Sequence, residues 1–231
     1  MKWPRSLIII LVVTFLGACA PSQQARGVKT SGFLGDYSKL QPGGKGDPAL
    51  IYLNPKTDFR AYDKFLMDRV TIWRGENSNL DDVPEKDLHR LALLLQVKVI
   101  KALKREGFTR VKEPGPGVMK IRAAITEAQQ SSVVMDIITT VVPVGRILSG
   151  GKKLATGTNS FVGKASIEGE ITNSQTGEVL GAMVDRRAGG KTLEGGINSW
   201  DDVEKAFQFW ADRFGYRMCQ LRGGKFCVPP E

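Results

Sequence analysis

Two glutamates, Glu168 and Glu170, in the run KASIEGEIT (Lys164–Thr172) come nearest to a catalytic pair in this chain. On a β-strand, residues two apart share a face, and two carboxylates about 5–9.5 Å apart can cleave a glycosidic bond as acid and base or nucleophile. The same pattern has a plainer use: on a wet strand face they can pair with Arg186 or Arg187 of the next strand. Asp81/Asp82 and Asp201/Asp202 stand where helices should start, and acidic residues there favour the helix dipole. His89 is the sole histidine, which argues against a metal site, and it reads as a surface or boundary residue of a helix rather than a catalytic one. Gly150-Gly151-Lys152-Lys153 invites comparison with phosphate loops but lacks the GxxxxGK[ST] spacing. There is no GxSxG elbow and no Cys/His couple. The chain is therefore expected to be non-enzymatic, with no catalytic residues, cofactor or metal; a cell-wall-acting hydrolase using the Glu168/Glu170 pair is the remote alternative.

The elements that would carry these residues show in the hydrophobic periodicity. Ala49–Leu53, stopped by Asn54-Pro55, is expected as an edge strand, and Phe65–Trp73 (FLMDRVTIW) as a β-branched, aromatic strand. Asp82-x-x-Glu85 resembles a capping box, with Pro84 in the first turn of a helix. Leu88, Leu91, Ala92, Leu95, Val99, Ala102 and Leu103 recur at helical spacing, and Gly107 ends the run. Val118–Ile125 alternates, as do Ala165–Ile171 and a third run with Leu180, Ala182 and Val184. The turn Asn173–Gly177 makes the last two a hairpin. A final helix from Trp200 to about Leu221 presents Val203, Ala206, Phe207, Trp210, Phe214 and Leu221 as one stripe. The expected fold is α+β: a two-layer sandwich of a mainly antiparallel sheet with two long amphipathic helices on one face.

One stretch resists placement. Val133–Leu148, inside SSVVMDIITTVVPVGRILSGGKK (131–153), is apolar but only about 16 residues long, interrupted by Asp136 and Pro143 and followed by Arg146's charge. It is too short and too charged to span a bilayer. Either the segment caps the open end of the sandwich or forms an oligomer contact, its apolar residues buried, or it is a flap over a lipid-binding groove or touches the membrane surface. Val134, Ile137, Ile138, Val141, Val144 and Ile147 are the expected interaction surface.

The start of the chain gives an address. A basic Met1–Arg5, an apolar Leu7–Leu16 and small residues before Cys19 describe a secretory signal. Leu16-Gly17-Ala18-Cys19 resembles a bacterial lipobox, which makes Cys19 the lipidated mature terminus. By similarity to enterobacterial lipoproteins, Ala20 after it implies sorting to the outer membrane. Acylation at Cys19 with two or three chains would suffice for stable anchoring. Loss of residues 1–18 removes Lys2 and Arg5 from a chain whose formal net charge is +9. Behind a lipobox that charge meets lipid headgroups or lipopolysaccharide, and no nucleic-acid partner is expected. Cys219 and Cys227 are then an even pair in an oxidising compartment, joined across the flexible Arg222–Lys225 bend, and a disulfide is expected.

Residues 1–18 are thus read as signal peptide, 19–48 as lipidated tether and docking arm, and 49–231 as a single α+β domain with an apolar insert at 131–153. Within the arm, SGFLGDYSKLQPG (Ser31–Gly43) carries Phe33, Leu34, Tyr37 and Leu40, too apolar for a plain linker. They should either pack on the domain or dock a partner. The order of lipobox, this arm motif and a β/α domain of this size resembles DUF3313, a family of Gram-negative lipoproteins of unknown function. The layout is more weakly similar to auxiliary lipoproteins of envelope transport systems. The resemblance implies a periplasm-facing lipoprotein with no assigned activity. The expected role is an adaptor or structural envelope protein, with an envelope protein partner or a homo-oligomer. Lipid- or lipopolysaccharide-binding transport auxiliary is the alternative.

Overall fold

The long alternating runs fold as the middle of one sheet. The computed structural model describes residues 23–130, 163–189 and 200–230. In chain order the elements are β1 (Gln23–Gln24), β2 (Gln41–Pro42), β3 (Leu50–Leu53), β4 (Lys64–Met67), β5 (Thr71–Ile72), α1 (Glu85–Arg105), β6 (Thr109–Arg110), β7 (Val118–Gln129), β8 (Lys164–Asn173), β9 (Val179–Ala188) and α2 (Asp201–Leu221). β7, β8 and β9 make an antiparallel meander, closed between β8 and β9 by the Asn173–Gly177 turn, where Gly177 supplies the φ of 73°. The spatial order is β2-β3-β9-β8-β7-β4-β6, with β1 also on β9 and β5 also on β7.

The α+β class holds, but the sheet is mixed. β4 and β5 both run parallel to β7, and β6 runs parallel to β4. α1 explains this: a helix between two strands returns the chain to the edge it left, so the next strand runs the same way. The expected strand over 65–73 is broken, and only 64–67 and 71–72 pair. Met67 lies opposite Ile121 and Thr71 opposite Ala124, so this chain takes one residue more than β7 over the span, which is a bulge. The 50–53 strand is one place in from the edge, covered by the two residues of β2.

The helices start without the expected side-chain caps. Pro84 precedes α1 and Trp200 precedes α2, neither donating or accepting a capping bond, although Glu85, Asp87, Asp201 and Asp202 supply first-turn acid. α1 buries all seven residues of its predicted stripe. α2 buries Val203, Ala206, Phe207, Trp210, Ala211, Gly215, Met218 and Cys219. Apart from Gly215 and Cys219, these residues join Phe65, Ile121, Ile125, Ile167 and Ile171 in one hydrophobic cluster. The helices approach most closely where Gly215 faces Ala102: a Cβ on Gly215 would stand 3.2 Å from Ala102 backbone and side-chain atoms.

Register corrects one face. Opposite residues of an antiparallel pair point the same way, and Ile167, Gly169 and Ile171 lie opposite Asp185, Met183 and Gly181. On β9 it is therefore Gly181, Met183 and Asp185 that turn toward the helices. Ala182 and Val184 share the other face with Glu170 and Glu168.

Candidate functional site

The face of the sheet turned away from the helices is not wet at its centre. Glu168 is fully buried, as are its cross-strand partner Ala124 and, at 2% exposure, Val184. The arm covers it. Ser31 donates its backbone N–H to Glu168 Oε1 at 2.6 Å, and the Tyr37 hydroxyl donates to Oε2 at 2.5 Å. Burial and the bond to Glu168 together raise the Tyr37 pKa above the usual phenol range. Trp73 Nε1 donates to the Ser31 carbonyl at 2.9 Å, and the Phe33 ring meets Trp73 edge-on at 5.6 Å. The Arg122 guanidinium stacks over Phe33, 5.0 Å from its centroid, and pairs with Glu170 at 3.6 Å. Glu168 and Glu170 thus hold the arm and Arg122, not Arg186 or Arg187. Arg186 reaches two strands over to Glu127, with Nε donating at 2.6 Å and Nη2 at 2.8 Å. Burial would push the Glu127 carboxyl up, but Arg186, Ser166 and Lys164 outweigh it and hold it below the usual range.

Asp185 is the matching fixture on the helix side. Buried to 1% exposure, it accepts from Gln24 Nε2 (2.8 Å), the Ala49 N–H (2.9 Å) and Trp210 Nε1 (2.6 Å). One carboxylate so ties β1, the chain entering β3, and α2 to β9. Beside it lies a crevice of about 140 Å³, walled by apolar side chains of both helices and the sheet. Small residues make the space: Ala123 and Gly169 face each other across β7 and β8, where the neighbouring rows carry isoleucines. Arg213 and Arg217, one turn apart on α2, stand at its rim. Arg213 Nε donates to the Gly46 carbonyl at 2.8 Å and Arg217 pairs with Asp47. Arg187 also lines the space, its guanidinium 3.6 Å from the Phe209 ring centroid.

Of the predicted site residues, Phe33, Leu34, Tyr37 and Leu40 are half-buried by their own domain. The segment expected as a tether is seated from Gln23 onward, since Gln23 and Gln24 pair with Ala188 and Arg187 of β9. Cys219 and Cys227 form a disulfide, Cα atoms 5.6 Å apart, that fastens the tail to the end of α2. Glu106 lies beside both sulfurs, the single such acid–thiol grouping among the described residues, but disulfide sulfurs are not thiolate ligands. His89 is exposed, its Nδ1 against the Glu85 carbonyl. Cys19, Val134, Ile137, Ile138, Val141, Val144 and Ile147 lie outside the described residues. No helix among the described residues is long and apolar enough to cross a membrane. Reading by pattern missed Asp185, Gln24, Arg213 and Arg217. The signals were an aspartate directly after the apolar Ala182-Met183-Val184 and two arginines at i, i+4.

Residues 29–214, from just before the arm motif to the middle of α2, match the family model described as "Protein of unknown function (DUF3313)". The chain belongs to the DUF3313 family. No curated protein matches this DUF3313 chain. Several solved structures match it at low identity and low TM-score. A PelC dodecamer from Paraburkholderia phytofirmans shares 9% identity, covering 71% of this chain and 94% of that one at a TM-score of 0.39. A DUF4136 family protein from Bacteroides thetaiotaomicron shares 9%, covering 73% and 95% at 0.40. A DUF330 protein from Xanthomonas campestris shares 11%, covering 74% and 87% at 0.36.

Proposed function

We propose that this DUF3313 protein is an outer-membrane lipoprotein, held by acyl chains on Cys19 and facing the periplasm, that works as a non-enzymatic adaptor through protein–protein contacts. The observation that carries a binding role over a chemical one is how the buried acids are used. Glu106, Glu127, Glu168 and Asp185 are the buried carboxylates of the described residues, and each accepts from at least two protein donors. A general acid or base must be free to meet a substrate proton; these four are engaged in holding segments together. Glu170, the other half of the pair suited to glycoside chemistry, is paired with Arg122.

Contact surfaces are present. Leu93, 62% exposed, and Val97 stand one turn apart on the outer side of α1, and Phe226 is 93% exposed on the tail that the disulfide pins. These are the exposed apolar side chains at which the reading is put to the test. The anchor would hold the domain close. Three residues lie between Cys19 and Gln23, and the four Cα–Cα steps reach about 14 Å at full extension. Gln23 sits in one cross-strand row with Ala188, Lys164 and Gln129, so that end of the sheet would rest at the bilayer, and from it the chain leaves toward the apolar stretch 131–153.

The test is photo-crosslinking in living cells from positions 93 and 226, with palmitate labelling of the wild type and Cys19→Ala. The expected result is Cys19-dependent label and one envelope protein, or a second copy of the chain, attached at 93 or 226. Palmitate label that survives Cys19→Ala refutes the anchor; silence at both positions refutes the adaptor surface.

A further inference from the structure

The crevice beneath α2 has a chemical asymmetry that the adaptor reading does not use. Its walls are hydrocarbon and thioether: Met67, Val99, Ile121, Met183, Phe214 and Met218 contribute. At about 140 Å³ it matches in size the dry apolar cavities that take up benzene. Its rim is cationic. Arg213 meets only neutral groups, the Gly46 carbonyl and, 6.0 Å away, the Tyr216 ring. Arg217 is half-exposed and pairs with Asp47. Four acids also line the crevice, and each is occupied: Asp185 by the neutral donors Gln24, Ala49 and Trp210, Glu168 by Ser31 and Tyr37, Glu170 by Arg122, and Asp47 by Arg217. Arg213 is thus the rim cation that meets no carboxylate. An apolar slot with guanidinium groups at the open end is complementary to one class of molecule, a hydrocarbon tail carrying an anionic head.

We propose that this crevice is a binding site for a single-chain anionic amphiphile. About five or six carbons of the tail fill the space over Ala123 and Gly169, judged against a benzene-sized cavity. The acidic head takes the hydrogen bonds that Arg213 and Arg217 now give to the Gly46–Asp47 loop. The loop is a half-buried turn with Gly46 at φ 81°, and it keeps its own bonds from Gln24 and Arg26 when the two α2 arginines turn to the head group. The site is independent of the lipid anchor and of any protein partner, and would hold a ligand even if both are absent.

The test uses the full-length chain in phosphatidylcholine nanodiscs, methyl-labelled at methionine, titrated with octanoate and separately with octanol. Octanoate should shift the Met67, Met183 and Met218 methyls saturably and leave Met119, buried outside the crevice, in place. Arg213→Gln should weaken octanoate at least tenfold, the order expected for one charge-assisted hydrogen bond, and leave octanol unchanged. Ala123→Leu should abolish both. Should Ala123→Leu fail to fold, Gly169→Ala gives the same reading. Its new Cβ would meet Arg122 O at 3.6 Å and Met183 Cγ at 3.7 Å, ordinary contacts, while taking up space in the crevice. Unshifted methyls, octanoate binding indifferent to both filling variants, or octanol bound as tightly as octanoate would each overturn the proposal.

Discussion

Glu168 shows how far a side chain's surroundings can depart from its pattern. On a strand that alternates cleanly it reads as solvent-facing, and it is the most deeply buried acid among the described residues. The alternation correctly gives the sheet face; it cannot say that Ser31 and Tyr37, some 130 residues earlier, return to cover it. Replacing the carboxylate by Leu strands a backbone N–H and a phenol hydroxyl, at a cost of about 2–3 kcal/mol. Glu168→Leu should therefore free the arm, read as faster amide exchange at Ser31 and new tryptic cleavage after Lys29 or Lys39, while β7–β9 stay protected. Glu127 gives a pH signature. Its folded pKa is depressed, so its bond to Arg186 stabilises the protein above the unfolded glutamate pKa near 4.3, and that contribution fades as pH falls through the folded value. Glu127→Gln should lower stability by about 2 kcal/mol at pH 7. In urea melts run from pH 7 down to 3 the gap to wild type should close; a gap constant with pH would refute the ion pair.

At the scale of elements, both helices and the three long strands were legible because each repeats its apolar period at least three times. The short pieces were not. β1, β2, β5 and β6 have two residues each, too few to show any period, and only their partners define them. The parallel pairing of β4 with β7 could have been read from the strand–helix–strand order alone. The face of β9 could not, because Leu180, Ala182 and Val184 look like core while Gly181 and Asp185 do not. The bulge between Ile171 and Thr172, which leaves Leu180 without a partner, breaks the period locally. Gly215 is the element-scale weak point. A larger side chain there must push α2 off α1 at Ala102, so Gly215→Leu should cost about 2–3 kcal/mol, seen as a lower urea midpoint. Reducing the Cys219–Cys227 bond, which closes a loop of eight residues, should cost about 2–3 kcal/mol by loop entropy and loosen only the tail beyond Leu221.

Over the whole molecule, the features that make the candidate surfaces join distant parts of the chain. Gln24 reaches Asp185 across 161 positions, Ser31 reaches Glu168 across 137, and Arg217 reaches Asp47 across 170. None of these pairings carries a local sequence signal. That is why the arm motif could be recognised as apolar while its seat, and the crevice on the other side of the sheet, could not. The seating of the arm also sets an order of events. Its anchors on β8, β9 and α2 are the last-made third of the chain, and contacts that close such long loops form slowly. The arm can meet Trp73 and Arg122 early, but its carboxylate anchors Glu168 and Asp185 become available only once β8 and β9 have been made. In pulse-labelled exchange during refolding, the Ser31 and Ala49 amides should gain protection after the amides of β7–β9, the N-terminal segment closing last like a strap drawn over a packed case.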